Sequence, residues 1–135
     1  MLSPTLSFQL STLSLFMEEF RFTKFKVYIS AKQFTKSIFK VTANIKGYGD
    51  LANQINRASL SVVLNIAEGT GKKSDRDFNR YIQNALGSVH EIYAALDLAK
   101  DLNLVDEIKF NELVNSLTDI RKQLGGLSKK LSADS

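Results

Sequence analysis

The chain has no cysteine and no tryptophan, and only one proline and one histidine in 135 residues. Without cysteine there are no disulfides, no thiolate metal ligands and no thiol chemistry. A single histidine, His90, rules out a histidine-rich metal site and leaves little room for a general base. Long apolar runs are missing too: no window reaches the roughly 18 residues needed to span a membrane. Neither sign of charge dominates. Eighteen Lys and Arg against fourteen Asp and Glu give a formal charge of +4, which permits a nucleic-acid partner without demanding one. The length suits one domain with a true core.

The first sixteen residues, MLSPTLSFQLSTLSLF, carry no charged side chain. A secretory signal needs a basic start and an unbroken apolar run. The basic start is missing here, and Ser, Thr and Gln interrupt the run. Two readings stay open. Translation begins naturally at Met17 and the leader is flexible, or Leu6, Phe8, Leu10, Leu13 and Phe16 dock on the bundle or on a neighbouring subunit. The expected organisation is a leader over 1–21, a helical bundle over 22–131 and a tail over 132–135. A cytoplasmic location with no membrane partner is expected.

The remainder has helical periodicity throughout. Val27, Ala31, Phe34, Ile38, Val41 and Ile45 advance by alternating steps of four and three, whereas a strand would alternate every second residue. This predicts helix one over 22–46, with Lys32, Lys36 and Lys40 forming an i, i+4 ladder on another face. Gly47-Tyr48-Gly49 breaks the pattern and Asp50 can cap the next helix. Helix two is predicted over 51–67, on Leu51, Ile55, Ala58, Val62 and Ile66, with Leu60, Val63 and Ala67 widening its apolar face. It is the shortest of the four, ended by Gly69-Thr70-Gly71. Ser74 and Asp77 form an aspartate capping box for helix three, predicted over 75–101 with the seam Phe78, Ile82, Ala85, Val89, Ile92, Leu96 and Ala99. Asp106 caps helix four, whose seam runs from Phe110 through Leu113, Leu117, Ile120, Leu124 and Leu127 to Leu131. Four amphipathic helices with short connections describe an all-α, antiparallel up-down-up-down, left-handed four-helix bundle.

Helix two also carries a polar stripe: Gln54, Arg57, Ser61, Asn65 and Glu68 step by three or four. Asn84, Ser88 and Glu91 answer it on helix three. A mid-helix glycine costs about 1 kcal/mol against alanine, so Gly87 suggests close approach of another backbone. Three readings compete for these residues: an internal polar network fixing helix register, a subunit interface, and a binding or reactive pocket. Glu68 sits near a helix C-terminus, where the dipole disfavours its charge. It therefore wants a basic or amide partner, and Arg57 of an adjacent copy would serve.

Chemical motifs are mostly excluded on spacing. Gly69–Ser74, GTGKKS, invites a phosphate-loop reading, but the pattern GxxxxGK[ST] would need glycine where Ile66 stands and serine or threonine where Lys73 stands. Lys72, Lys73, Arg76 and Arg80 nevertheless gather around the start of helix three, where free backbone N–H groups favour an anion. Solubility alone would also explain them, since Asp75 and Asp77 dilute the patch. His90-Glu91 begins like a zinc-binding HExxH helix, but Ala94 stands at the second histidine position. No ExxH pairs occur for a di-iron site, and no serine has a histidine or lysine at catalytic spacing. No metal, no cofactor and no catalytic residue is expected, and the chain reads as a non-enzyme.

The elements Leu51-x-x-Gln54-x-x-Arg57-Ala58-x-x-Ser61-x-x-x-Asn65-Ile66-Ala67-Glu68-Gly69, Ser74-x-x-x-Phe78-x-x-Tyr81 and Ala85-x-Gly87-Ser88-x-x-Glu91 resemble the bacterial four-helix bundle proteins named for open reading frames inside 23S rRNA intervening sequences, often labelled S23 ribosomal proteins. The resemblance spans roughly 22–131. It implies a left-handed up-and-down bundle and assembly as homopentamers. The fold is similar to that of the accessory proteins of diversity-generating retroelements, basic pentamers that bind nucleic acid and a reverse transcriptase. The chain departs from the family at Tyr28, where tryptophan is usual, and at Asn56, Lys72 and Leu86. Those three positions lose a positive charge or arginine's forked geometry, which weakens the nucleic-acid inference. The expected function is a non-enzymatic homo-oligomeric scaffold that binds an RNA or DNA backbone through Lys32, Lys36, Lys40, Lys72, Lys73, Arg76 and Arg80. Gln54, Arg57, Ser61, Asn65, Glu68, Gly87, Ser88 and Glu91 would serve packing and assembly. The alternative is a bundle that binds proteins and no nucleic acid.

Overall fold

The computed structural model describes residue 22 and residues 25–133. The leader read from the sequence lies outside the described residues. Four helices follow in order: α1 (Lys26–Thr42), α2 (Gly49–Thr70), α3 (Asp75–Asp101) and α4 (Glu107–Ala133). No strand occurs among the described residues. Each helix packs against the next, and α4 closes against α1.

Cross-helix hydrogen bonds fix the direction of each pair. The Thr42 hydroxyl donates to Asn56 Oδ1 at 2.7 Å and the Thr35 hydroxyl lies 3.2 Å from the Ser59 carbonyl, so α1 and α2 are antiparallel. Ser88 meets Ser61 at 2.9 Å while Glu91 accepts from Gln54, which reverses α3 against α2. Gln83 donates to Ser128 at 2.6 Å and Asn79 to Ser132 at 3.1 Å, which reverses α4 against α3. The α2–α3 turn thus shares one end of the bundle with the start of α1 and the end of α4.

The apolar seams form one core. Ile38, Ile55, Ile66, Ile82, Ile92, Leu96, Ile120 and Leu124 are its largest fully buried hydrophobic side chains. Val105, in the α3–α4 turn, closes one end. Burial of this stripe, more than helix propensity, holds each element in place. Ser59 is buried inside the core, and its hydroxyl finds no hydrogen-bond partner among the described residues.

The helix limits differ from the sequence reading in three ways. α1 is the shortest helix, at 17 residues against 22 for α2. It stops at Thr42 because the chain tightens there into i→i+3 bonds, Asn44 N–H to Val41 and Ile45 N–H to Thr42. Ile45 therefore leaves the seam. Asp50 lies in the first turn of α2 instead of capping it, and Tyr48 holds the cap position without a side-chain bond. Gly69 does not end α2. The helix runs through it to Thr70, with Gly71 as its C-cap.

The other two caps stand as read. Asp77 N–H donates to Ser74 Oγ at 3.1 Å and Lys109 N–H to Asp106 Oδ1 at 2.7 Å. α3 stops where Asn103 adopts φ +60°, a left-handed conformation that asparagine tolerates at a helix end. Gly125 and Gly126 leave α4 continuous.

Candidate nucleic-acid interface

The seven cations singled out in the sequence are all exposed, but they form two groups. Lys32, Lys36 and Lys40 run along α1, which contains no acidic residue. Lys72, Lys73, Arg76 and Arg80 surround the α2–α3 turn. Lys40 belongs to the last turn of α1, at the opposite end of the bundle from Lys72. The second group sits at one end of the bundle, and the ladder runs along α1 toward the other end.

The α2–α3 end holds more positive charge than the sequence reading found. Lys129 and Lys130, both exposed, stand in the last turns of α4, beside Ser128 and Ser132, which bond to the first turns of α3. An antiparallel third connection is the signal that brings the end of α4 to the start of α3. Lys26 opens α1 at this end as well. Tyr81 organises two of the cations: Lys72 Nζ lies 4.9 Å and the Arg80 guanidinium 5.5 Å from its ring centroid. Such cation–π contacts hold a long side chain without neutralising it.

The only ion pairs among the described residues join Lys100 to Asp97 at 3.7 Å and Lys109 to Glu112 at 3.0 Å. Both flank the α3–α4 turn, near Asp101, Asp106 and Glu107. The cations of the α2–α3 end are thus free of ion pairs among the described residues. Among the described residues, cations outnumber Asp75, Asp77 and Glu68 at this end, and acidic residues gather at the other.

The polar stripe divides in two. Gln54, Ser61, Asn65, Ser88 and Glu91 join in or beside the α2–α3 seam: Asn65 donates to Ser61 Oγ at 3.0 Å, Ser88 donates to the same oxygen, and Gln54 donates to Glu91. Arg57, Glu68 and Gly87 are exposed and outside it. No other backbone approaches Gly87. A Cβ there would meet nothing within 4 Å. The close approach occurs at Gly69, where a Cβ would lie 2.8 Å from Phe78 Cδ1 and 3.1 Å from Tyr81 Cβ. His90 is exposed, its Nδ1 2.9 Å from the Leu86 carbonyl oxygen. Among the described residues, no three His, Asp or Glu side chains are grouped to hold a metal, and no helix is long and apolar enough to cross a membrane.

Residues 23–126 match the 23S rRNA-intervening sequence protein family. The chain belongs to that family. The bundle is similar to the crystal structure of a protein of unknown function from the S23 ribosomal protein family of Bacteroides thetaiotaomicron VPI-5482. The TM-score is 0.71 at 23% identity, over 76% of this chain and 98% of that one. At that identity the likeness carries the fold. No curated protein matches the chain.

Proposed function

We propose that this member of the intervening-sequence family is a non-enzymatic, homo-oligomeric scaffold that binds the phosphate backbone of RNA or DNA in the cytoplasm. The family resemblance implies five copies. The observation that carries the reading is the basic end: exposed Lys72, Lys73, Arg76 and Arg80, joined by Lys129 and Lys130, with no ion pair among the described residues. Unpaired cations at one end of a rigid bundle suit a polyanion, whose condensed counterions they displace. The lysine ladder of α1 adds a second, weaker track.

Affinity for an unrelated RNA and an unrelated DNA should be measured across a salt series. Backbone binding predicts a steep linear fall of log K with log salt and nearly equal affinities for scrambled sequences. Absent binding at low ionic strength, or salt-insensitive binding, would reject the nucleic-acid partner and leave the protein-binding alternative.

A further inference from the structure

We infer that the outer stripe of α2 packs on the outer stripe of α3 in a second copy of this chain. This rests on the self-assembly proposed above and specifies its surfaces. On α2, Arg57, Leu60, Leu64 and Glu68 advance by three, four and four, and all are exposed. Leu60 and Leu64 keep 43% and 52% of their surface in solvent. On α3, Arg80, Asn84, Gly87 and Glu91 advance by four, three and four, and these too are exposed. Leu98, 51% exposed, extends that face.

The two stripes are complementary level by level. The pairs Gln54–Glu91 and Ser61–Ser88, with Gly69 against Phe78 and Tyr81, set the antiparallel register of α2 and α3. By that register Arg57 is level with Glu91, Leu60 with Gly87 and Ser88, Leu64 with Asn84, and Glu68 with Arg80. Within one chain Glu91 reaches toward α2, where it accepts from Gln54, and the other residues of the two stripes point away from the core without meeting. Between two copies with aligned bundle axes, α2 of one lies antiparallel to α3 of the next, and the same levels coincide. A cation then faces an anion at each end, Leu60 faces the one position of the α3 stripe with no side chain, and Leu64 faces Asn84.

Gly87 gains a physical reason in this arrangement. Its helix cost has no compensation inside the chain, where the space over it is open. Because two different surfaces are joined, the interface is heterologous and repeats from copy to copy, closing into a ring where the rotation between copies allows it. The competing geometry is a two-fold pairing of α2 on α2, with Arg57 against Glu68 of the partner subunit. That would leave Gly87 and Leu98 uncovered. In the α2-on-α3 geometry Arg80 belongs to the interface, and Lys72, Lys73 and Arg76 remain to face phosphate.

Sedimentation velocity without nucleic acid tests this. Leu64→Asp should reduce the mass to that of one chain, with helicity retained because the residue is exposed within the chain. Glu68→Arg and Arg80→Glu should each weaken assembly by about tenfold or more, as expected for like charges brought together at a packed interface. The double exchange E68R/R80E should restore assembly, and R57E/E68R should not. Rescue by R57E/E68R instead would overturn this geometry in favour of the two-fold pairing. An unchanged mass for Leu64→Asp would overturn this surface while self-assembly itself stands. A wild-type chain that is monomeric at the highest attainable concentration would overturn both.

Discussion

Gly69 lies in the last turn of α2 beneath the Phe78 ring, where a methyl group would come within 2.8 Å of a ring carbon. Gly87, on the next helix, has open space above it. The two glycines therefore respond oppositely to the same change. Gly69→Ala should destabilise the fold by roughly 1–3 kcal/mol, the usual cost of overpacking a site that relaxes poorly. Gly87→Ala should raise the stability of the folded chain by up to about 1 kcal/mol, since only helix propensity is at stake there. Chemical denaturation of both variants, at concentrations where the chain is monomeric, checks the pair. A Gly87→Ala variant less stable than wild type would mean that something inside the chain does occupy that space.

At the scale of the helix, α1 is held least tightly. It is the shortest element, and it meets α4 across a groove of about 340 Å³ whose lining includes Ser30, Gln33, Ser37, Ser116 and Asp119. Gln123 bridges that seam to Ser30 through a long bond of 3.3 Å. Sparse apolar packing and a wet polar seam lower the free energy of local opening. Amide hydrogen exchange should be fastest in α1 and slowest in the middle of α3. Equal protection would show that the bundle opens only as a whole. The seams of α3 and α4 were legible because their three–four rhythm runs unbroken for more than six turns, and tertiary packing obeyed it. The ends of α1 and α2 were not, because glycine was read as a stop signal. Gly69 stays helical because α3 needs its missing side chain. The division of the polar stripe was also hidden. Periodicity places Arg57 and Ser61 on neighbouring lines, and only the position of α3 decides that Ser61 is inside the seam and Arg57 outside it.

At the scale of the whole bundle, the described residues are basic around the α2–α3 turn and acidic around the α3–α4 turn, which both described ion pairs flank. Neutralising Lys72, Lys73 and Arg76 together should lower the salt slope of nucleic-acid binding by about two to three, near 0.7–0.9 for each phosphate that no longer meets a cation. Neutralising Lys32, Lys36 and Lys40 should lower it less, because that ladder extends toward the acidic end. Equal effects would place the polyanion along α1 instead. The seams have a consequence of another kind. Four oily stripes of similar width could stack in more than one cyclic order. The seams here also carry polar pairs: threonine to asparagine between α1 and α2, serine to serine between α2 and α3, and glutamine to serine both between α3 and α4 and where α4 returns to α1. A helix docked beside the wrong neighbour would take from the buried Ser128 hydroxyl its partners Asn79 and Gln83, at a cost of roughly 1–3 kcal/mol, and would lose the weaker, half-exposed pairs of the other seams. The hydroxyls and amides thus act as address labels, telling each helix which neighbour is its own.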